Sequence, residues 1–173
     1  LGRSLSIAPN GTIWVGLYYG RSYYELDGAT GTVLSGPHSV SPHTPYGSLI
    51  DANGILWGAS LGSTLLELDT NNPTDYTIHS HSGSDYGIAI ARGDQGQTLV
   101  YNASAAYPYL RFDSLTDTFS DPSTFPYTSY GISADGAGNV YMTGSSVSGH
   151  RDGMSKLAPD GSLLWSSGAQ PGT

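Results

Sequence analysis

The sequence contains no cysteine, so disulfides, thiolate metal sites and cysteine nucleophiles are excluded within this chain. Charge is scarce as well: only 12% of the 173 residues are Asp, Glu, Lys or Arg, and 6 cations face 14 acids for a net charge of −8. Those cations (Arg3, Arg21, Arg92, Arg111, Arg151 and Lys156) are scattered and form no basic run. A phosphate backbone calls for concentrated positive surface, so no nucleic-acid partner is expected. No apolar run approaches the length of a membrane span, and no segment carries the apolar spacing of a long amphipathic helix. The chain starts at Leu1 with neither an initiator Met nor a signal peptide, which fits a mature or trimmed product or a piece of a longer precursor.

What the chain does have is turn residues and aromatics: 24 Gly, 10 Pro and 13 Tyr. Low charge with many small polar residues is also a feature of disordered chains, but here aliphatic and aromatic residues recur in ordered, alternating runs. The tyrosine-rich, lysine-poor composition points to an extracellular or cell-surface location. Two N-x-S/T sequons, at Asn10 and Asn102, would be glycosylation acceptors in a host that glycosylates secreted proteins.

The runs repeat. SLSIAPNGTIW at 4–14 aligns with GSLIDANGILW at 47–57 and GISADGAGNVY at 131–141, and GIAIARGDQGQTLVY at 87–101 fits with a longer turn. A second motif follows each: YYELD at 23–27, LLELD at 65–69, YLRFD at 109–113 and MSKLA at 154–158. Period-two alternation and Asp-Gly, Asn-Pro and Pro-Asp-Gly turns divide each repeat of about 42 residues into four short strands. Four strands at that period are the mark of a propeller blade. The expected fold is therefore all-β, a single β-propeller segment over 1–173 with approximate blades at 1–42, 43–83, 84–127 and 128–173. Gly11, Gly54 and Gly138 should take left-handed backbone angles in the recurring turn. Trp14, Trp57, Leu26, Leu68, Phe112 and Leu157 occupy the core columns.

PYGSLIDANGILWGASLGSTLLELD at 45–69, with SIAPNGTIWVG and YGISADGAGNVYMTG, resembles blades of the streptogramin B lyase-like (virginiamycin B lyase-like) propellers and of NHL-type repeats. The resemblance covers nearly the whole chain. It implies a ring of six to eight blades, and for the lyases an elimination at a cyclic ester using His and Glu groups and a divalent metal. Family blades often carry Glu directly after the Trp strand. Here Trp57 is followed by Gly58-Ala59-Ser60, Tyr101 by Asn102-Ala103 and Tyr141 by Met142-Thr143-Gly144, so no catalytic residue is carried over.

Among individual residues, His38 and His43 precede Gly47 as His79 and His81 precede Gly87. Residues two apart on a strand share a face, so His79 and His81 are the candidate metal ligands, weighed against two surface histidines in a polar crossover. No cofactor is expected; calcium, magnesium and copper are the ions a site would hold. Asp51, Asp94, Asp135 and Asp160 lie in turns where a carboxylate accepts local N–H bonds. Tyr18, Tyr19, Tyr23, Tyr24, Tyr107 and Tyr109 are the candidate ligand-binding rings, since amphipathic tyrosines anchor glycans or small molecules. Packing between blades is the competing role for them.

The leading expectation is a noncatalytic extracellular propeller that binds a ligand or forms a structural interface. Its alternatives are a metal-dependent lyase-like enzyme acting on a cyclic ester, and a copper- or calcium-dependent surface protein. Four blades are also expected to need a partner, another propeller fragment or a second copy, to complete the ring.

Overall fold

A computed structural model describes residues 1–104, 109–120, 129–144 and 153–167 of the chain. Its described residues form sixteen strands and no helix. The strands are β1 (Gly2–Ile7), β2 (Ile13–Leu17), β3 (Ser22–Leu26), β4 (Val33–Ser39), β5 (Gly47–Ile50), β6 (Ile55–Ala59), β7 (Thr64–Asp69) and β8 (Tyr76–Ser80). They continue with β9 (Asp85–Arg92), β10 (Thr98–Ser104), β11 (Tyr109–Asp113), β12 (Thr118–Ser120), β13 (Ser129–Ala134), β14 (Val140–Gly144), β15 (Met154–Leu157) and β16 (Leu163–Ser166). Consecutive strands pair antiparallel into four four-stranded sheets, one per sequence repeat.

The repeated turn explains why each sheet begins as it does. Gly11, Gly54 and Gly138 stand at φ of 87°, 83° and 78°, where a side chain would strain the backbone. Each turn is closed the same way, by the glycine N–H donating to the carbonyl three residues back: Ala8, Asp51 and Asp135. The longer turn of the third repeat reaches the same closure through Gly96, at φ 84° and bonded to the Gly93 carbonyl.

The chain falls into two compact units, Leu1–Ser82 and Gly83–Thr173, each of two sheets. Within each unit the first strands of its two sheets lie side by side, β1 beside β5 and β9 beside β13, so first strands are inner and fourth strands outer. The outer strands β4, β8 and β16 are accordingly the most exposed.

In the first unit, register puts Ser4, Ser6, Trp14, Gly16, Tyr23 and Glu25 on one face of the first sheet. Trp14 and Tyr23 pack there on Leu56, Leu66 and Leu68 of the second sheet. The inner end of this contact is polar: Ser48 hydrogen-bonds both Ser4 and Ser6, and the Tyr23 hydroxyl lies 3.4 Å from Ser4 Oγ. Gly16 permits the approach, since a Cβ there would stand 2.6 Å from Pro45 and 2.8 Å from the Tyr23 ring. In the second unit, Ala89, Leu99, Tyr101 and Tyr109 of the third sheet pack on Val140, Met142 and Leu157 of the fourth.

Of the expected core residues, Trp14, Trp57, Leu68, Phe112 and Leu157 are buried. Leu26 is the exception and is only half-buried. It lies on the opposite face of the first sheet from Trp14, with Leu5, Ile7, Ile13, Val15 and Tyr24, and no other sheet of the unit packs on that face.

Candidate functional site

The tyrosines separate into three environments. Tyr23 and Tyr109 are fully buried, the former with its hydroxyl pushed up to about 12 by burial, so neither offers a ring face to a ligand. Their strands turn these rings toward the neighbouring sheet, which corrects the binding role expected of them. Tyr24 is half-buried on the uncovered face of the first sheet, and Tyr107 lies outside the described residues. Tyr18 and Tyr19 stand where β2 turns into β3, with rings 5.1 Å apart edge to face. The Arg3 guanidinium lies over both Tyr18 and Tyr46, 4.9 and 5.0 Å from the two ring centres. Arg3 therefore occupies the Tyr18 face, and Tyr19, 75% exposed, is the ring open to solvent.

Tyr46 was not among the expected site residues, and its signal was in the sequence: Tyr-Gly opens the first strand of three repeats, at Tyr46, Tyr86 and Tyr130. In the second unit Tyr86 and Tyr130 meet edge to face at 4.6 Å. Gly87 lets the strands approach, since a Cβ there would stand 2.7 Å from the Tyr130 carbonyl oxygen.

His79 pairs with an acid on the neighbouring strand. His79 on β8 contacts Glu67 on β7, Nε2 to Oε2 at 2.9 Å, while His81 lies past the strand end with its Nδ1 3.2 Å from the Ser82 carbonyl. In the first sheet the same device is built through a hydroxyl: Ser35 donates to Glu25 Oε2 at 3.0 Å and lies 2.9 Å from His38 Nε2. The sequence pairing of histidines by crossover missed this, because Glu and His meet across strands. His43 is different. It is buried, its Nδ1 is 3.1 Å from Thr64 Oγ1, and burial pulls its pKa down to about 4, so it is neutral at ordinary pH.

The lyase resemblance implies a divalent metal, and the described side chains assemble no site for one. Among the described residues no three His, Asp or Glu groups converge as ligands. Glu67 and His79 contact each other directly.

The turn aspartates act structurally. Asp51 accepts from the Asn53 and Ile55 amides at 2.9 and 3.0 Å and from Trp57 Nε1 at 3.1 Å. Asp135 repeats this with the Asn139 side-chain amide, the Ala137 and Asn139 backbone amides and the Tyr141 hydroxyl, and these bonds, the Asn139 side chain foremost, hold its carboxyl down to about 2. Asp160 accepts from the Ser162 amide and hydroxyl, which lowers its pKa. Ala8 holds the equivalent place in the first sheet, and there the buried Trp14 Nε1 has no partner. Of the sequons, Asn10 is exposed. Asn102 is buried and its amide donates to Asp85 at 3.0 Å, which removes it as a glycosylation acceptor in the folded chain.

No protein-family model matches the sequence, and no curated protein matches it. Solved structures do. A gluconolactonase from Xanthomonas campestris is similar at a TM-score of 0.73 and 12% identity, over 99% of this chain and 63% of that one. Virginiamycin B lyase from Staphylococcus aureus is similar at 0.67 and 11% identity, over 92% of this chain and 53% of that one. A protein of unknown function from Bacteroides caccae is similar at 0.64 and 14% identity, over 96% and 66%. The chain thus spans about half to two thirds of the length of these structures. At such identities the likeness is one of fold: the four sheets are propeller blades, as the repeats predict, and the lyase-like and NHL-type propellers are the structural kin that the resemblance pointed to.

Proposed function

We propose that this chain is a noncatalytic interaction propeller of the extracellular space or cell surface, whose first blade docks another blade of the same repeat. One observation carries this: Leu5 and Ile7 on β1 are 64% and 66% exposed, although their apolar repeat equivalents Ile50, Ile132 and Ala134 are half-buried against a neighbouring sheet. On the same sheet face, Leu56 and Leu68 of the second blade and Val140 and Leu157 of the fourth, the repeat equivalents of Ile13 and Leu26, are fully buried. An apolar sheet face of this kind marks an interface.

The occupant is the opposite face of a blade. The fourth blade supplies an example, with Tyr141, Lys156 and Trp165 in register across β14, β15 and β16. Trp165 is 41% exposed and Tyr141 half-buried, whereas Trp57, the repeat equivalent of Tyr141 in the second blade, is buried. A second copy of the chain would bring this face to the first blade. The mutual pairing of Glu67 with His79 and of Glu25 with Ser35 supports a binding rather than a lyase role, because it engages the acids that such chemistry would use.

Native mass spectrometry is the test. The expected particle is twice the 18.1 kDa chain mass. Leu5→Asp with Ile7→Asp should return it to monomer while keeping the β-sheet circular dichroism. A wild-type monomer at micromolar concentration overturns the proposal.

A further inference from the structure

The geometry points to a binding site for a neutral saccharide in the second unit, in a cleft that lies between the third and fourth blades at their hairpin ends. The cleft holds about 300 Å³, at the lower end of the range for small-molecule sites. The β9–β10 turn walls it on one side, and the β13–β14 and β15–β16 turns on the other.

Arg111 builds the floor. It leaves β11 and donates from Nη1 to the Pro159 carbonyl at 2.7 Å, tying one blade to the other, while its Nε is buried without a partner. Arg92, at the end of β9, lines the same cleft, lies against Gly96 and is exposed. No ion pair or hydrogen bond engages Arg92 among the described residues, so its donors are available. Asp160 spends one carboxylate oxygen on a local turn, Oδ1 on Ser162. Asp113 accepts at Oδ1 from the Leu115 amide and at Oδ2 from Gln97 Nε2 at 3.5 Å, the latter a long bond within the cleft lining. Asp94 adds a third carboxylate, and Leu99 and Pro159 give apolar wall.

The charges choose the class of ligand. Two of the six cations in the chain converge here, opposed by three carboxylates. An anion would meet more negative than positive charge, and a cation would meet two guanidinium groups that cannot lose their protons. A neutral polyol suffers neither penalty. Each hydroxyl both donates and accepts, which matches guanidinium donors set among carboxylate acceptors, and the C–H faces of a pyranose suit Leu99 and Pro159.

The test is a titration of the isotopically labelled chain, followed by amide chemical shifts. Glucose, galactose and mannose serve as neutral probes, with glucuronate and sulfate in parallel. At least one hexose should shift the Gly93, Gly96 and Gly138 amides saturably, with a Kd on the order of millimolar. Arg92→Ala, at an exposed side chain that does not hold the fold, should weaken binding about tenfold by removing charge-assisted hydrogen bonds. Leu5→Asp with Ile7→Asp should bind as wild type, which separates this site from blade docking. The proposal is overturned if no hexose gives saturable shifts, if only glucuronate or sulfate does, or if Arg92→Ala leaves the affinity unchanged.

Discussion

The two units build the same cross-strand pair from opposite charges. In the first unit Trp14 sits opposite Glu25 and Trp57 opposite Glu67; in the second, Tyr101 sits opposite Arg111 and Tyr141 opposite Lys156. The aromatic member is fixed by packing wherever another sheet covers it, and Trp14, Trp57 and Tyr101 are all buried. Its charged neighbour stands one strand further out, half-buried, and takes whatever partner is near. In the first unit these are Ser35 and His79; in the second, the Pro159 carbonyl and Asp135, which lies 3.8 Å from Lys156 Nζ. The column that makes a blade is therefore separable from the position that varies between blades.

Breaking the aromatic column should have the largest effect. Trp57→Ala is expected to cost about 4 kcal/mol, read as the shift in a urea unfolding midpoint, because a large fully buried side chain leaves a cavity. A loss below about 1 kcal/mol would mean that the column does not define the blade.

Acid should find the next weakness, at His43. Its folded pKa of about 4 lies below the ordinary 6.5, so between these values the unfolded chain takes up a proton that the folded chain refuses. Stability is then intact above pH 6.5 and falls as the pH drops toward 4, by up to about 3 kcal/mol. His43→Gln should flatten that part of the stability-versus-pH curve. An unchanged slope would assign it to other groups.

The turn carboxylates sharpen the comparison further. Asp51→Ala strips acceptors from two amides and the Trp57 indole and should cost about 2 kcal/mol. The reciprocal change, Ala8→Asp, places an acceptor in an identically closed turn beside the orphaned Trp14 Nε1 and should gain about 1 kcal/mol. Thermal denaturation of both variants checks the pair, and a destabilised Ala8→Asp protein would show that the turns are not equivalent. Glu67→Gln should do least, below about 1 kcal/mol, since the pair with His79 lies at a partly exposed rim.

The blades were legible because turn chemistry and strand alternation are local. Asn10-Gly11, Asn53-Gly54 and Gly136-Ala137-Gly138 mark the turns, and β2, β6 and β14 begin within two residues after them. Pairing across strands was not legible. Glu67 and His79 are twelve residues apart and meet only through the β7–β8 register, and Arg111 reaches Pro159 across two blades. Tyrosine burial was misjudged for a related reason. Alternation shows that Tyr23 and Tyr24 point opposite ways, but only the neighbouring sheet decides which of them is covered. Leu26 shows the converse, a core column in the repeat whose cover is absent within its unit.

The placement of the tryptophans gives the chain an optical label. Trp14 and Trp57 are sealed from solvent and should emit in the blue and resist acrylamide, while Trp165 on the outer strand of the fourth blade should emit further to the red and quench readily. Its light reports on one sheet face alone. A partner settling there would shield it from the quencher and shift the spectrum, so the docking step can be timed by stopped-flow fluorescence without attaching a dye.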